Sequence, residues 1–261
     1  MSTGMTVGVI GGTGMLGRSL VAALLDSGVV RPEHLWVANR SGARGDLPEA
    51  VRVTARAQEL ADACDAVILS VPPALFAALE LRAPDALVIS VMAGVSRARI
   101  AGQTGARRIA RAMSSPAASR RRAFSPWCGD LPAEDRALVE TLLGACGSTA
   151  EVADEAQIEV FTAMTGPVPG FVAQFAACMA DYAARRGVAP EVAEAAVRQL
   201  FLAAGEMLAW DGPAPCEHVR EMVDYAGTTA AGLLALQEAG LQRVIDDGLD
   251  AAVARTRAIG T

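Results

Sequence analysis

Lysine is absent from all 261 residues, and the cationic side chains are arginines alone. A Schiff-base or general-acid lysine is thereby removed from any mechanism. Histidine occurs only as His34 and His218, so a metal site would rest on unclustered ligands and none is expected. The five cysteines (Cys64, Cys128, Cys146, Cys178, Cys216) are odd in number and scattered, with no Cys-x-x-Cys pair. That is the pattern of reduced thiols rather than of a disulfide framework. No run of 18 uncharged apolar residues is present, so no membrane span is expected. The opening MSTGMTVGVIGG lacks a charged n-region and enters a strand at once, so no signal peptide and a cytoplasmic location are expected. Net charge is -6, and the one basic tract, Arg120-Arg121-Arg122, reads as a solvated loop, which argues against nucleic acid as a partner. Aromatic residues make up 4% of the chain and hydrophobic residues 52%, enough for one large core or two smaller ones.

What is present is organised around Thr6 to Leu25. A short apolar run, Val7–Ile10, turns through Gly11, Gly12, Gly14 and Gly17 into an amphipathic run from Met15 to Leu25. Strand, glycine turn and helix are the context in which Gly12-x-Gly14-x-x-Gly17 acts as a dinucleotide fingerprint. One glycine makes the tight turn, one admits a pyrophosphate to the backbone, and one lets helix pack on strand. Gly12, Thr13, Gly14, Met15 and Leu16 are therefore expected to bind the cofactor, with N–H groups of the helix start on the phosphates.

The second strand, His34–Ala38, ends in Asn39-Arg40-Ser41. Dinucleotide folds specific for NAD place an acidic residue near this point for the ribose hydroxyls, whereas arginine suits a 2′-phosphate. Asn39, Arg40 and Ser41 thus point to NADPH rather than NADH, with Arg44 as an additional cation. Val51–Thr54 reads as a strand and Ala55–Ala63 as a helix. The continuous apolar runs Ala66–Val71 and Ala86–Val91 read as buried parallel strands. Arg107–Met113 follows as another strand, Ala123–Pro126 as an edge strand, Glu134–Leu143 as a helix and Ser148–Val152 as a last strand. Ligands of doubly wound sheets sit beyond the carboxyl ends of the strands. Ser70, Val71 and Pro72, Met92, Ala93 and Gly94, and Ser114 and Ser115 all fall there. The fold class expected is α/β, a Rossmann-type doubly wound sheet over residues 1–153.

From residue 154 to 261 no strand pattern is found, and apolar residues recur at spacings of three and four. The pattern predicts helices over Glu155–Ala163, Val172–Arg186, Pro190–Leu208, Cys216–Tyr225, Thr229–Ala239 and Leu241–Arg257. Thr165-Gly166-Pro167-Val168-Pro169-Gly170 breaks the pattern after the first of them. Alanine-rich helices with few aromatics pack closely, which suits a second subunit.

The chain resembles pyrroline-5-carboxylate reductase over nearly its full length. The residues that carry the likeness are the Gly12–Gly17 turn, Asn39-Arg40-Ser41, Leu69 to Pro73, Ile89 to Ser96, Arg111-Ala112-Met113, Ala163 to Phe171 and Gly227-Thr228-Thr229 followed by Ala231-Gly232-Leu233. The last two segments resemble the family's Ser-Gly-Ser-Gly-Pro segment and its Pro-Gly-Gly-Thr-Thr loop, which lie outside the generic nucleotide fold. The resemblance implies an NAD(P)H-dependent reductase of a cyclic imine, with an all-helical dimerisation domain and a substrate site at a homodimer interface. It implies Thr229 as the first substrate contact, with Thr165, Gly227 and Thr228 also binding substrate. Asp224-Tyr225-Ala226-Gly227 stands where the family has Ser-Pro-Gly-Gly. Asp224 or Tyr225 would there stabilise or protonate an iminium, and an Asp would oppose a substrate carboxylate. An imine reductase acting on a substrate without that carboxylate accommodates these departures. A coenzyme F420-dependent NADP reductase accounts equally for the nucleotide half, and a non-catalytic NADP-binding regulatory protein accounts for a changed substrate loop.

Overall fold

The computed structural model describes residues 4–167, 169–209 and 212–260. It divides into two compact units, Met1–Val168 with Leu249–Thr261, and Pro169–Gly248.

The first unit holds one sheet of eight strands: β1 (Val7–Ile10), β2 (Leu35–Ala38), β3 (Arg52–Thr54), β4 (Ala66–Leu69), β5 (Leu87–Ser90), β6 (Arg108–Ala112), β7 (Ala123–Cys128) and β8 (Gly147–Glu151). Their order in space is β3-β2-β1-β4-β5-β6-β7-β8, and all neighbours are parallel except β6 and β7. The direction of winding reverses between β1 and β4, which is where a doubly wound sheet opens a crevice. The helices of this unit are α1 (Met15–Asp26), α2 (Ala57–Ala63), α3 (Pro73–Phe76), α4 (Arg97–Thr104), α5 (Ala133–Gly144) and α6 (Glu155–Met164).

Alternation along the strands sorts the core into two layers. Ala66, Ile68, Leu87 and Ile89 face one side, where they meet Leu20 and Leu24 of α1 and Val139 and Leu142 of α5. Val67, Leu69 and Val88 face the other, where they meet Leu60 of α2, Phe76 of α3 and Ile100 of α4. Both faces are covered, so β4 and β5 are buried at every position, as their apolar runs predict, with Ser90 the one polar residue among them. Each fully buried Leu or Ile contributes about 1.5–3 kcal/mol by leaving water.

Ala123–Pro126 is expected at an edge, and the structure places it inside the sheet. β7 runs to Cys128 and lies between β6 and β8. Pro126 lacks an N–H, but the ladder with β6 pairs only Arg111 with Cys128 and Ala112 with Trp127. Pro126 stands just beyond that ladder, and its carbonyl accepts the Met113 N–H at 3.0 Å. The edge strands are β3 and β8. His34, expected to open β2, belongs to a 3-10 turn, Pro32–His34.

The six helices read from the 154–261 pattern are all present. They are α6 and then α7 (Gly170–Arg185), α8 (Pro190–Ala209), α9 (Pro215–Asp224), α10 (Thr228–Glu238) and α11 (Leu241–Gly260). The compact units, however, divide after α6 and within α11 rather than at residue 153. The reason is packing. Ile158 of α6 is buried with Met113 and Cys128, and Phe161 meets Phe124 with ring centroids 5.5 Å apart. Arg257 near the end of α11 donates from Nε to Glu159 at 2.8 Å. In the second unit the only buried residues among those described are Ala193 and Ala230.

The approach of α1 to β1 depends on Gly17. A Cβ there would lie 2.2 Å from the Gly11 carbonyl oxygen, far inside van der Waals contact. Gly17→Ala should therefore lower the stability of the chain by roughly 1–3 kcal/mol, seen as a fall in thermal midpoint. An unchanged midpoint would mean that α1 is free to lift from the strand.

Candidate functional site

At the point where the winding reverses, the carboxyl ends of β1, β2 and β4 surround a cavity of about 740 Å³. Its floor is the turn from Ile10 to Gly14. Gly11 has φ +83, and a Cβ on it would lie 2.4 Å from the Ser70 carbonyl oxygen. Gly14 caps α1 with no side-chain hydrogen bond, and the first turn of α1 carries no acidic residue. The N–H groups and the positive end of that helix are thus left open toward the cavity, the arrangement that receives a phosphate.

The cavity wall on the β2 side is Ala38, Asn39, Arg40 and Ser41. Asn39 shapes the loop. Its Nδ2 donates to the Ala43 carbonyl at 2.8 Å, and its Oδ1 accepts from the backbone N–H and the hydroxyl of Ser41, each at 3.1 Å. Arg40 is exposed and carries no ion pair or hydrogen bond among the described residues. Arg44, expected as a second cation for a phosphate, is engaged in its own loop. Its Nη1 donates to the Pro48 and Val51 carbonyls at 2.8 and 2.5 Å. Glu59 lies on α2 beside the end of β3, outside the cavity lining. Its carboxylate accepts from the Thr54 hydroxyl at 2.7 Å and pairs with Arg56, and these bonds hold its pKa below the ordinary value.

The opposite wall is Ser70, Val71 and Pro72, with Leu75 of α3. The Ser70 hydroxyl oxygen is buried and has no partner within the protein. A dinucleotide fits this cradle on three grounds. Backbone replaces side chains at its floor, a helix start is left uncapped, and a polar atom is orphaned at its wall.

Of the residues expected to bind the cofactor, the cavity collects Thr13, Gly14, Asn39, Arg40, Ser41, Ser70, Val71 and Pro72. Gly12, Met15, Leu16, Met92, Ala93 and Gly94 do not line it. Gly12 is buried beneath the turn, where a Cβ would meet Val37 at 2.8 Å. Met15 is exposed at the start of α1, and Leu16 packs against the core. Met92 is buried after β5, with its N–H 3.3 Å from the Ser90 hydroxyl.

The residues expected to bind substrate fall in both units. Thr165 ends α6 in the first unit, and its hydroxyl donates back to the Phe161 carbonyl at 3.1 Å. In the second unit, Asp224 ends α9, Gly227 is the N-cap of α10, and Thr228 and Thr229 form its first turn. The start of α10, like that of α1, has no side-chain cap and no acid in its first turn. Tyr225 is 84% exposed. Ala226 sits at φ +57, a left-handed conformation that costs an L-residue about 1–2 kcal/mol.

The cysteines contribute no reactive thiolate among the buried set. Burial raises Cys64 and Cys146 to about 12 and Cys128 to about 11, so these three stay protonated at neutral pH. No helix among the described residues is long and apolar enough to cross a membrane, and no group of three His, Cys, Asp or Glu residues among them could hold a metal ion.

Two family models match the chain. Residues 6–94 match the coenzyme F420-dependent NADP oxidoreductase model, and residues 155–259 match the pyrroline-5-carboxylate reductase dimerisation model. Pyrroline-5-carboxylate reductase 2 of Bacillus subtilis is 28% identical over 90% of this chain and 88% of its own. The pyrroline-5-carboxylate reductase of Thermus thermophilus is 29% identical over 95% of this chain and 97% of its own. Among solved structures, a pyrroline-5-carboxylate reductase from Coxiella burnetii superposes with a TM-score of 0.85 at 25% identity, covering 99% of this chain and 100% of that one. The Plasmodium falciparum pyrroline carboxylate reductase with NADP bound superposes with a TM-score of 0.82 at 21% identity, covering 100% of both chains, a likeness of fold.

The strain at Ala226 is testable without any ligand. Glycine has no Cβ to resist this conformation, and Ala226→Gly should raise stability by about 0.5–1 kcal/mol. Urea denaturation measures this, and a destabilised variant would show that the loop holds Ala226 without strain.

Proposed function

Because this chain belongs to the pyrroline-5-carboxylate reductase family, we propose that it is an NADPH-dependent reductase of a cyclic imine, converting pyrroline-5-carboxylate to proline. The observation that carries this reading is that relatives of one activity match 90% and 95% of the chain, the helical half included. A likeness confined to the nucleotide half would leave a coenzyme F420-dependent activity equally supported, since that family model stops at residue 94.

When bound, the cofactor supplies a hydride from C4 of its reduced nicotinamide, and the imine carbon accepts it once the imine nitrogen is protonated. The chain's own residues bind and orient. The open N–H groups at the start of α1 hold the pyrophosphate. Arg40, exposed and uncommitted, presents a planar fork to the 2′-phosphate beside Ser41. Thr165, Gly227, Thr228 and Thr229 bind the substrate. The uncapped start of α10 offers N–H groups to an anion, which suits a substrate carboxylate. Asp224 or Tyr225 holds or delivers the proton at the imine nitrogen.

The enzyme works in the cytoplasm as a homodimer formed through the helical half. The second unit supports this: Phe171, Phe175, Val192, Leu200, Leu202 and Val244 are all exposed. An apolar surface of that extent marks an interface.

A second reading is favoured by Asp224 specifically. A carboxylate beside the substrate loop suits an imine that lacks its own carboxylate, whose iminium it would pair with.

Arg40→Ala should raise KM for NADPH about 10- to 100-fold, the worth of a charge-assisted phosphate contact, and leave KM for NADH nearly unchanged. Preference for NADH in the unaltered enzyme would remove the phosphate assignment. Asp224→Asn separates the substrates by sign. If pyrroline-5-carboxylate is the substrate, removing the like charge should raise kcat/KM roughly two- to fivefold. If the substrate lacks a carboxylate, kcat/KM for that imine should fall. No change on either would exclude Asp224 from the site.

A further inference from the structure

Arg111, the next-to-last residue of β6, is 2% exposed. A guanidinium taken out of water requires opposite charge at close range. Here Nη1 lies 3.3 Å from Glu155 and 3.9 Å from Glu159, both on α6. Each carboxylate is held a second time. Glu155 accepts the Arg97 backbone N–H at 2.8 Å, and Glu159 accepts Arg257 Nε at 2.8 Å. Two side-chain cations therefore balance two anions around one helix.

Glu155 and Glu159 are four residues apart in the chain, hence on one face of α6. The apolar contacts of Ile158 and Phe161 attach the helix to the sheet but resist sliding or rotation weakly, because hydrophobic burial is not directional. The hydrogen bond from Arg111 Nη1 to Glu155, with Glu159 at ion-pair distance on the same face, is directional in a way that burial is not. The helix leads straight into the turn that bears Thr165. Thr165 and Gly166 both donate their N–H groups to the Phe161 carbonyl, at 2.8 and 3.1 Å. A Cβ on Gly166 would lie 3.5 Å from the Met113 sulfur, so the turn rests against the residue that follows β6. Strand end, helix and turn form one packed object.

We propose that Arg111 is a positioning residue: by drawing Glu155 and Glu159 onto the end of β6 it fixes the register of α6, and with it the place of the Thr165–Gly166 turn beside Met113. The catalytic consequence rests on the reductase reading, in which Thr165 touches the substrate. Arg111 itself touches neither substrate nor cofactor, so its loss acts on geometry rather than on cofactor affinity.

The test compares Arg111→Met, Arg111→Lys and Glu159→Gln with the unaltered enzyme. Three quantities are measured: amide hydrogen exchange at Thr165 and Gly166, NADPH affinity, and kcat and KM with pyrroline-5-carboxylate. Arg111→Met should speed exchange at the two amides at least about tenfold and lower kcat about 10- to 100-fold, the effect of misplacing a contact by an ångström or so. NADPH affinity should stay within twofold. Arg111→Lys should recover part of kcat, and Glu159→Gln should shift both readouts in the same direction by less. Combining Glu159→Gln with Arg111→Met should cost less than the sum of the two, because both remove the Arg111–Glu159 contact, although each also removes one of its own, Glu159–Arg257 or Arg111–Glu155. Folded variants with unchanged exchange at the turn, or with unchanged kcat, would overturn the proposal, as would a defect confined to NADPH binding. If Arg111→Met fails to fold, Arg111→Lys and Glu159→Gln decide the matter, since both keep a buried cation, and Arg257→Met, which breaks only the other contact of Glu159, should leave exchange at the turn unchanged. If the unaltered enzyme reduces no cyclic imine, the reductase reading fails, while the exchange data still decide whether Arg111 holds the turn.

Discussion

Three stretches of bare backbone converge where the strand order reverses, and the dinucleotide cleft depends on how closely they approach. Any Cβ on Gly11 would sit 2.4 Å from the Ser70 carbonyl, and any Cβ on Gly17 would sit 2.2 Å from the Gly11 carbonyl. The end of β1, the start of α1 and the end of β4 can therefore meet only as main chain. That closeness leaves the first N–H groups of α1 facing open space with no side chain to satisfy them. It also lets Leu20 and Leu24 reach the core on one side while Ser70 forms the wall of the cavity on the other. Packing and binding are thus consequences of one steric condition, and a residue chosen to improve either by adding a side chain would defeat both.

Much of this was legible in the sequence because the nucleotide fold writes its demands locally. Unbroken apolar tetrads mark strands covered on both faces, and glycine spacing marks the turn. What was not legible depended on partners remote in the chain. Pro126 reads as an edge signal because proline cannot donate to a ladder, yet β7 is internal, since its ladder with β6 ends before that residue. Arg44 reads as a phosphate ligand by proximity to Arg40, but two carbonyls of its own loop occupy it. Arg111 reads as a strand residue that shares in the family likeness, with nothing to show what it pairs with. Its partners appear only when α6, more than forty residues on, brings two carboxylates to it.

The helical half shows the same limit from the other direction. Spacings of three and four located all six helices, because periodicity is a property of each helix alone. What those helices pack against is not. The second unit buries only Ala193 and Ala230 among its described residues, although apolar side chains are abundant along α7 and α8. A helical unit with so little interior of its own gains its stability from what covers it, and in the proposed reading that cover is a second copy.

The loop from Asp224 to Thr229 separates backbone from side chain in a way that bears on specificity. Ala226 holds a left-handed conformation while exposed, so no packing within the unit compels it. Here that geometry delivers Gly227, Thr228 and Thr229 as an uncapped helix start with N–H groups free to meet an anion. The family resemblance places Gly where this chain has Ala226, and Ser-Pro where it has Asp224 and Tyr225. This chain thus carries an L-residue at a left-handed position where the resemblance has Gly, and leading side chains that differ in charge and size. In the proposed reading, the uncapped helix start is what meets an anionic group, and the two changed side chains are what distinguish one imine from another. Under the proposed reading, cofactor binding follows the common pattern of the fold, and the choice among imines falls to the two side chains that lead this loop, Asp224 and Tyr225.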